Sequence, residues 1–333
     1  MQNKNLISII MPVYNREEYL DESLSSVAAQ NYINWQLVIV DDGSTDGSME
    51  VAKQFANDHI NKCKIISSAV SRSGAAACRN IGTAHADGGY IIFLDSDDKL
   101  ENFCLQQRIK VMNENPELDW AVFKQYKWEP EKKPPYNLFS KSIATKEEAI
   151  NFFLEMDPPW QTMAAIWKKN ALQLLNGFDE KLIYMEDPDL HLRALLHQQL
   201  KGKLLDDLPA DNFYRVDNME ANKQIIFYQN SIQSRFVFLQ KLVNSVLPSG
   251  NESGNKMYAE HIRIGFLKFL KQFVLARAEE YSGEIQKTIN LLYNAKVISW
   301  FDVIKIKRIV RIFLSSSSLV RSLKLKGIAY RFI

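Results

Sequence analysis

Apolar and polar positions in the first hundred residues switch repeatedly between two periods. Leu6 to Met11 is a compact β-branched run that Pro12 stops, and Arg16 to Gln30 then carries Tyr19, Leu20, Leu24, Val27 and Ala28 at helical spacing. The unit recurs. Gln36 to Val40 is a second apolar run, ending in the turn-rich Asp41-Asp42-Gly43-Ser44-Thr45-Asp46-Gly47-Ser48, which also supplies N-caps for a helix from Met49 to Ala56. Lys62 to Ser67 reads as a third strand, the alanine-rich Ser73 to Ala86 as a helix, and Gly89 to Leu94 as a fourth strand. Such alternation predicts an α/β fold with a mostly parallel sheet flanked by helices on both faces.

Further on, Leu100 to Asn113 is helical and Trp120 to Trp128 extended, and the proline- and lysine-bearing Glu129 to Tyr136 reads as an exposed loop beside the acceptor. A helix from Lys146 to Glu155, the stiff turn Pro158-Pro159-Trp160-Gln161-Thr162 and a strand from Met163 to Trp167 follow. From about Glu220 the pattern is helical throughout: Ile225 to Val246, Tyr258 to Tyr281, Glu284 to Tyr293 and Ser299 to Leu314. The expected organisation is an α/β domain over 1–217, with halves 1–115 and 116–217, and a helical region over 218–333.

Composition adds mainly exclusions. A hydrophobic content of 46% supports a sizeable core, and 41 basic against 39 acidic residues, a formal net charge of +2, gives no reason to expect a nucleic-acid partner. Cys63, Cys78 and Cys104 are odd in number and lack C-x-x-C spacing, so buried thiols in a reducing compartment are expected. The run Leu6 to Val13 is short and holds Ser8 and Pro12, and no apolar stretch reaches the roughly 18 residues of a membrane span. The expected location is therefore the cytoplasm. Beyond Trp300, Lys305, Lys307, Arg308, Arg311, Arg321, Lys324, Lys326 and Arg331 face the single acid Asp302. That tail suits peripheral contact with the inner face of the cell membrane, or a helix packing on the domain or on a second copy in a homo-oligomer.

Candidate chemistry lies where strands end, because open α/β sheets bind ligands beyond the carboxyl ends of their strands. Tyr14-Asn15, Asp41-Asp42 and Asp95-Ser96-Asp97-Asp98 occupy such positions and should converge. Neither G-x-G-x-x-G nor G-x-x-x-x-G-K-[ST] is present, which removes the usual dinucleotide and Walker cradles. Asp95 and Asp97 could face one hard cation, Mg²⁺ or Mn²⁺, or could form a turn that caps the next helix. Asp41-Asp42 could accept from a base or ribose, or be a turn and cap. Arg79, on the small-residue helix Gly74 to Asn80, could reach diphosphate oxygens with its fork or lie on the surface. Pro188 fits the first position of a helix with Asp187 as N-cap, and a carboxylate so aimed could take a proton from an acceptor hydroxyl. His191, Arg193 and His197 read as partners within the fold.

In this order, the Leu6 to Met11 strand with Pro12-Val13-Tyr14-Asn15, Asp41-Asp42-Gly43-Ser44-Thr45-Asp46, Gly74 to Asn80 running into Ile81-Gly82, Phe93-Leu94-Asp95-Ser96-Asp97-Asp98 and Glu186-Asp187 resemble the family 2 glycosyltransferases of the GT-A fold. The resemblance covers roughly residues 6–215. It implies inverting transfer of a sugar from a nucleoside diphosphate sugar, with UDP the expected carrier, to a hydroxyl of a glycan or lipid-linked acceptor in bacterial cell-surface polysaccharide synthesis. It implies Pro12, Val13, Tyr14, Asn15, Asp41, Asp42, Gly74, Arg79, Asn80, Asp95 and Ser96 around the nucleotide sugar, and Asp95 and Asp97 at a Mn²⁺ or Mg²⁺ ion. Asp187 matches the general base, with Glu186 as alternate, and Gly177-Phe178-Asp179-Glu180 resembles the loop before it, with Asn176-Gly177 in place of the usual double glycine. Trp160 and Gln161 are the expected acceptor contacts. The Q-x-x-R-W motif of processive members is missing, which implies one sugar added at a time. The rival readings are a metal-dependent nucleotidyltransferase, which should carry an early glycine- and lysine-rich loop, and a silent sugar-nucleotide-binding or scaffold protein.

Overall fold

The first half of the α/β region runs β1 (Asn3–Val13), α1 (Glu17–Ala28), β2 (Trp35–Asp41), α2 (Ser48–Asp58), β3 (Cys63–Ser67), α3 (Ala75–His85) and β4 (Gly88–Phe93) in a computed structural model that describes residues 3–216, 221–247 and 252–314. Arg321, Lys324, Lys326 and Arg331, and the expected division at 217/218, lie outside the described residues. Along β1, β2 and β4, Ile7, Ile9, Leu37, Val38, Ile91 and Ile92 are fully buried. Strands covered on both faces need no polar alternation, hence their continuous apolar runs.

The second half continues with β5 (Lys99–Leu100), α4 (Cys104–Glu114), β6 (Trp120–Phe123), β7 (Tyr126–Trp128), β8 (Asn137–Leu138) and α5 (Lys146–Leu154). After a 3₁₀ turn at Thr162–Ala164 come β9 (Ala165–Lys168), α6 (Lys169–Leu174), α7 (Glu186–Leu196), β10 (Gly202–Leu205) and β11 (Asn212–Arg215). A seven-stranded sheet has the order β10-β6-β9-β4-β1-β2-β3, with β9 antiparallel to both neighbours and the other pairs parallel. A smaller sheet has the order β5-β11-β7-β8.

Register sets the position of the site. Val13 pairs with Asp41 and Ile10 with Phe93, and the amides of Asp42 and Leu94 donate to the carbonyls of Val13 (2.8 Å) and Ile10 (3.0 Å). Three strands therefore release their polar sequels side by side. α3 lies close over them because residue 82 is glycine: a Cβ there would stand 2.3 Å from Ile10 Cγ2. Arg79, one turn earlier on the same helix, is thereby brought over the strand ends.

The structure departs from expectation where short elements change sheets. Trp120 to Trp128 is two strands rather than one: β6 joins the large sheet, and after Gln125, whose amide donates to Ser140 Oγ at 2.8 Å, β7 joins the small one. Tyr126 there stacks on Phe213 of β11 at 5.1 Å, an aromatic pairing that periodicity within one strand does not reveal. Arg108, fully buried on α4, donates to both oxygens of Asp211 (2.9 and 2.7 Å) and to the carbonyl of Met163 (2.9 Å), tying α4, the start of β11 and the turn before β9 together.

By contacts the chain forms two units. The α/β unit runs to Lys146 and resumes at Pro159, and the second unit takes residues 147–158 and the helices that follow residue 220. Those helices are α8 (Ala221–Val246), α9 (Glu252–Phe269), α10 (Ser282–Asn294) and α11 (Trp300–Leu314), with a π turn at Leu270–Val274 and a 3₁₀ turn at Leu275–Arg277 where one helix through Tyr281 was expected. Phe236, Phe266, Phe269 and Leu292 fill its core, and Glu155 holds His261 at 2.8 Å and pairs with Lys268. Among the described residues no helix is long and apolar enough to cross a membrane.

Candidate active site

The ends of β1, β2 and β4 open on a cleft of about 440 Å³ within the α/β unit, closed on its far side by the residues that lead into α7. Of the expected site residues, Pro12, Val13, Tyr14, Asp42, Gly74, Arg79, Asp95, Ser96, Asp97 and Glu186 line it. Asn15, Asp41, Asn80, Asp187, Trp160 and Gln161 do not.

The residues set back from the cleft shape its walls. Asn15, at φ +50°, accepts from the Thr45 amide at 2.8 Å and donates its own to Ser44 Oγ at 3.1 Å, while Asp41 Oδ1 accepts from the Ser44 amide at 3.0 Å. They stitch the Asp41–Ser48 turn to the end of β1. Asn80 holds the loop before α7 from below, donating to the Phe178 carbonyl (3.0 Å) and Glu180 Oε1 (2.8 Å) and accepting from the Phe178 amide (2.9 Å). Asp42 does double duty: it lines the cleft, yet its carboxylate receives the Ser73 and Gly74 amides and Ser73 Oγ, all at 2.8 Å. Gly74 sits at φ +92°, a left-handed conformation that lets its amide turn to Asp42 as the chain enters α3.

Trp160 requires a correction. It is 3% exposed, with its ring edge-on to His191 at 5.6 Å, so the ring packs inward and does not face the cleft. An aromatic next to two prolines looks like a surface turn in sequence, but here the turn folds inward. His191 lies between Trp160 and Trp167 (5.4 Å), and burial lowers its pKa to about 3, which keeps it neutral. Gln161 hydrogen-bonds Tyr214, a cleft residue.

At the centre is Arg79, 3% exposed. Nη2 donates to Asp95 Oδ1 at 2.7 Å, and Nη1 reaches Glu186 Oε1 at 3.0 Å and Asp187 Oδ1 at 3.4 Å. Its two terminal nitrogens thus serve three carboxylates. Burial alone would lower the guanidinium pKa, but Asp95, Asp187 and Glu186 raise it further than burial depresses it. Its fork also lies 5.3 Å from the Phe178 ring.

Helix α7 starts two residues earlier than its proline suggests. Met185, at φ +72°, is the N-cap and its carbonyl accepts from the Asp189 amide at 3.0 Å, so Glu186 and Asp187 open the helix and Pro188 falls third. Proline is tolerated there because the amides of the first turn have no helical partner. Both acids are held back from water. Burial, reinforced by Asp187, pushes the Glu186 carboxyl up to about 8 against the pull of Arg79, and burial raises Asp187 as well, with Arg79 opposing. Asp187 Oδ2 also accepts from the Thr162 amide at 3.1 Å.

The acids after β4 are more open: about a third of the Asp95 and Asp97 side chains is exposed. Asp97 meets Arg16 Nε at 3.3 Å, and burial raises its pKa while Arg16 opposes. Asp98 is turned in, accepting from the Arg215 amide at 2.7 Å, and burial with the neighbouring Asp97 and Asp95 raises its pKa well above the usual range. Arg215 Nε donates to the Asp97 carbonyl at 2.7 Å, and its guanidinium lies 4.1 Å from the Trp128 ring.

Arg16, Ile183, Tyr184 and Tyr214 line the cleft without having been singled out in sequence. Arg16 and Tyr184 adjoin recognisable motifs and could have been found by that adjacency. Tyr214 and Arg215 come from a four-residue strand of the small sheet with no motif of its own.

The family model described as Glycosyl transferase family 2 matches residues 8–175. The chain belongs to this family. A relative from Escherichia coli, the UDP-Glc:alpha-D-GlcNAc-diphosphoundecaprenol beta-1,3-glucosyltransferase WfgD, is 39% identical over 110 residues, 33% of this chain and 42% of WfgD. The chain spans less than two thirds of the curated relatives it matches. Among solved structures, S. aureus TarS 1-349 in complex with UDP-GlcNAc superposes with a TM-score of 0.65 at 19% identity, over 98% of this chain and 89% of that one. The mannosyltransferase PcManGT from Pyrobaculum calidifontis, in complex with GDP-Man and Mn²⁺, gives 0.55 at 15% identity, over 97% and 84%. At these identities the likeness speaks for the fold, which is GT-A, as the family 2 resemblance implied, followed by the helical C-terminal region that the periodicity predicted.

Proposed function

We propose that the chain transfers a sugar with inversion from a nucleoside diphosphate sugar to an acceptor hydroxyl, in the assembly of a bacterial surface polysaccharide. One observation carries the reading: a single buried arginine joins the open acid at the end of β4 to the paired acids at the start of α7 across one cleft. Displacement at an anomeric carbon passes through an oxocarbenium-like state, so a hydroxyl must lose its proton on one face while a diphosphate leaves from the other. The cleft, which Glu186 lines, and Asp187 set just behind it carry groups for both tasks. UDP as carrier and a glycan or lipid-linked acceptor are supported by the UDP-GlcNAc complex of TarS and the name of WfgD.

At the leaving-group side, Arg16 presents a partly exposed fork beside Asp97, suited to phosphate oxygens. Among the described residues no three His, Cys, Asp or Glu side chains gather as a metal cage. Two half-open carboxylates nevertheless fit a hard cation that takes its remaining ligands from phosphates and water. Asp95 and Asp97 would hold such a Mn²⁺ or Mg²⁺ ion, which supplies positive charge against the departing diphosphate. Tyr14 and Asp42 bound the space for the nucleoside.

At the acceptor side, Glu186 and Asp187 share what is in effect one site of negative charge. The Thr162 amide and Arg79 favour the ionised form of Asp187, and Glu186, at about 8, keeps the proton near neutral pH. Asp187 is thus assigned as the base and Glu186 as the group that tunes it. The test is transfer from UDP-sugars with Mn²⁺ or Mg²⁺, preceded by a thermal-shift screen, since a ligand bound only by the folded state raises its apparent stability. Stabilisation by sugar nucleotides with turnover that Asp187→Asn lowers by about 10²–10⁴ is expected. Turnover unchanged in Asp187→Asn, with Glu186→Gln inactive, would reassign the base, and no stabilisation by any sugar nucleotide would overturn the reading.

A further inference from the structure

Helix α11 is divided by burial. Ile306, Ile309 and Val310 pack into the core of the helical unit, whereas Lys305, Lys307, Arg308 and Arg311 are exposed. At 3.6 residues per turn Arg308 and Arg311 lie opposite the buried stripe, and Lys305 and Lys307 flank it on either side. Trp300 and Phe301, which are 58% and 78% exposed, lie on the side of the two arginines. The one acid of the helix, Asp302, is turned away: it meets Arg263 at 3.6 Å and accepts from Ser299 Oγ at 2.8 Å. Among the described residues none of the four cations is in an ion pair.

Cations and large aromatics on one helix side have distinct requirements. An exposed Trp–Phe pair, rings 5.4 Å apart, leaves apolar surface in water that a binding partner would cover. Unopposed lysines and arginines attract a surface of spread negative charge. A bilayer interface meets both, because its headgroup layer accepts amphipathic aromatic rings while lipid phosphates attract the bases around them. A nucleic acid fits less well, since the chain as a whole carries only +2 and these bases are interleaved with Ile304 and Leu314. The buried stripe answers the alternative reading of this segment as a packing helix, and its outer face remains for a partner.

We propose that the outer face of α11 docks on an anionic lipid bilayer, with Trp300 and Phe301 entering the headgroup layer and Lys305, Lys307, Arg308 and Arg311 meeting lipid phosphates. The proposal is independent of the reaction above: a chain that failed to bind vesicles could still transfer sugar to a soluble acceptor. The full chain is floated with vesicles of phosphatidylcholine alone or mixed with phosphatidylglycerol. Flotation is expected with the anionic mixture only, and it should weaken as added salt shortens the screening length below about 10 Å. Each base near the surface contributes about fivefold to binding, so Arg308→Glu with Arg311→Glu should lower partitioning by about 25-fold or more. Trp300→Ser with Phe301→Ser should lower it at all salt concentrations. All four positions are exposed, so unchanged melting temperatures are expected. Flotation of both double variants like the parent, equal flotation with neutral vesicles, or a change of oligomeric state on substitution would each overturn the proposal.

Discussion

Asp95 and Asp97 leave the end of a buried strand with about a third of each side chain exposed, whereas Glu186 and Asp187 open a helix and are only 12% and 17% exposed. Both groups are pairs of acids, and Arg79 touches both. The strand-end pair can take on an external positive charge because its oxygens still face the cleft. The helix-start pair is too dry to hold two charges, so burial raises both pKa values and the pair retains a proton. One side of the cleft is thus suited to binding cations and the other to exchanging protons, and the difference arises from burial more than from residue type.

The most severe way to break this division is to remove what spans it. Arg79→Met should leave three carboxylates without their shared cation and cost about 3–5 kcal/mol of stability, read by urea denaturation, together with loss of transfer. Arg79→Lys should recover only part of this, because one ammonium cannot copy a planar fork. A variant as stable as the parent would show that the three contacts do not matter to the fold. Next, Asp187→Asn should lower kcat by about 10²–10⁴ with donor affinity retained, since it removes a proton acceptor. A weakened donor affinity with unchanged kcat would instead move Asp187 to the binding side.

Arg215→Gln tests the strand-end pair from behind. Arg215 holds the Asp97 carbonyl and, through its amide, Asp98, and loss of such a support should weaken apparent Mn²⁺ or Mg²⁺ affinity by about 10–100-fold in donor titrations. If donor affinity shows no metal requirement at all, the cation role of Asp95 and Asp97 falls. The smallest effect is in pH. Because the folded pKa of Glu186, about 8, lies above its ordinary 4.5, its contribution to stability is complete below about 4.5 and is lost as pH rises through about 8. Glu186→Gln should therefore flatten the fall in melting temperature between pH 5 and 8, and an unaltered slope would mean that the proton resides elsewhere.

Much of the scaffold was legible. Continuous apolar runs at Leu6 to Met11, Gln36 to Val40 and Gly89 to Leu94 identify strands buried on both faces, and parallel register brings their polar ends together whatever the details of the loops. Short elements were less so: β10, β11 and the split at Gln125 hold too few residues for a period to show. Within the site, Asp95 and Asp97 drew attention by charge next to an apolar run and Arg79 by its place on a small-residue helix, whereas Glu186 entered only beside Asp187 at the start of a helix and through the family resemblance. Trp160 misled because a proline-flanked aromatic has the same local pattern on a surface turn as in an inward one, and only its packing against His191 separates the two.

By itself the sequence determined the longer strands and helices, because periodicity is local, and which strand ends carry acids, because that is order along the chain. Only the tertiary structure decided what those acids do to one another. Arg79 and Glu186 are 107 residues apart in sequence, and their 3.0 Å contact exists because Gly82 lets α3 settle on β1 while the loop before α7 is pinned by Asn80. The charge state of a carboxylate depends on the water and charges around it in space, so the division between an open acid pair and a dry one could not be read from either pair of letters.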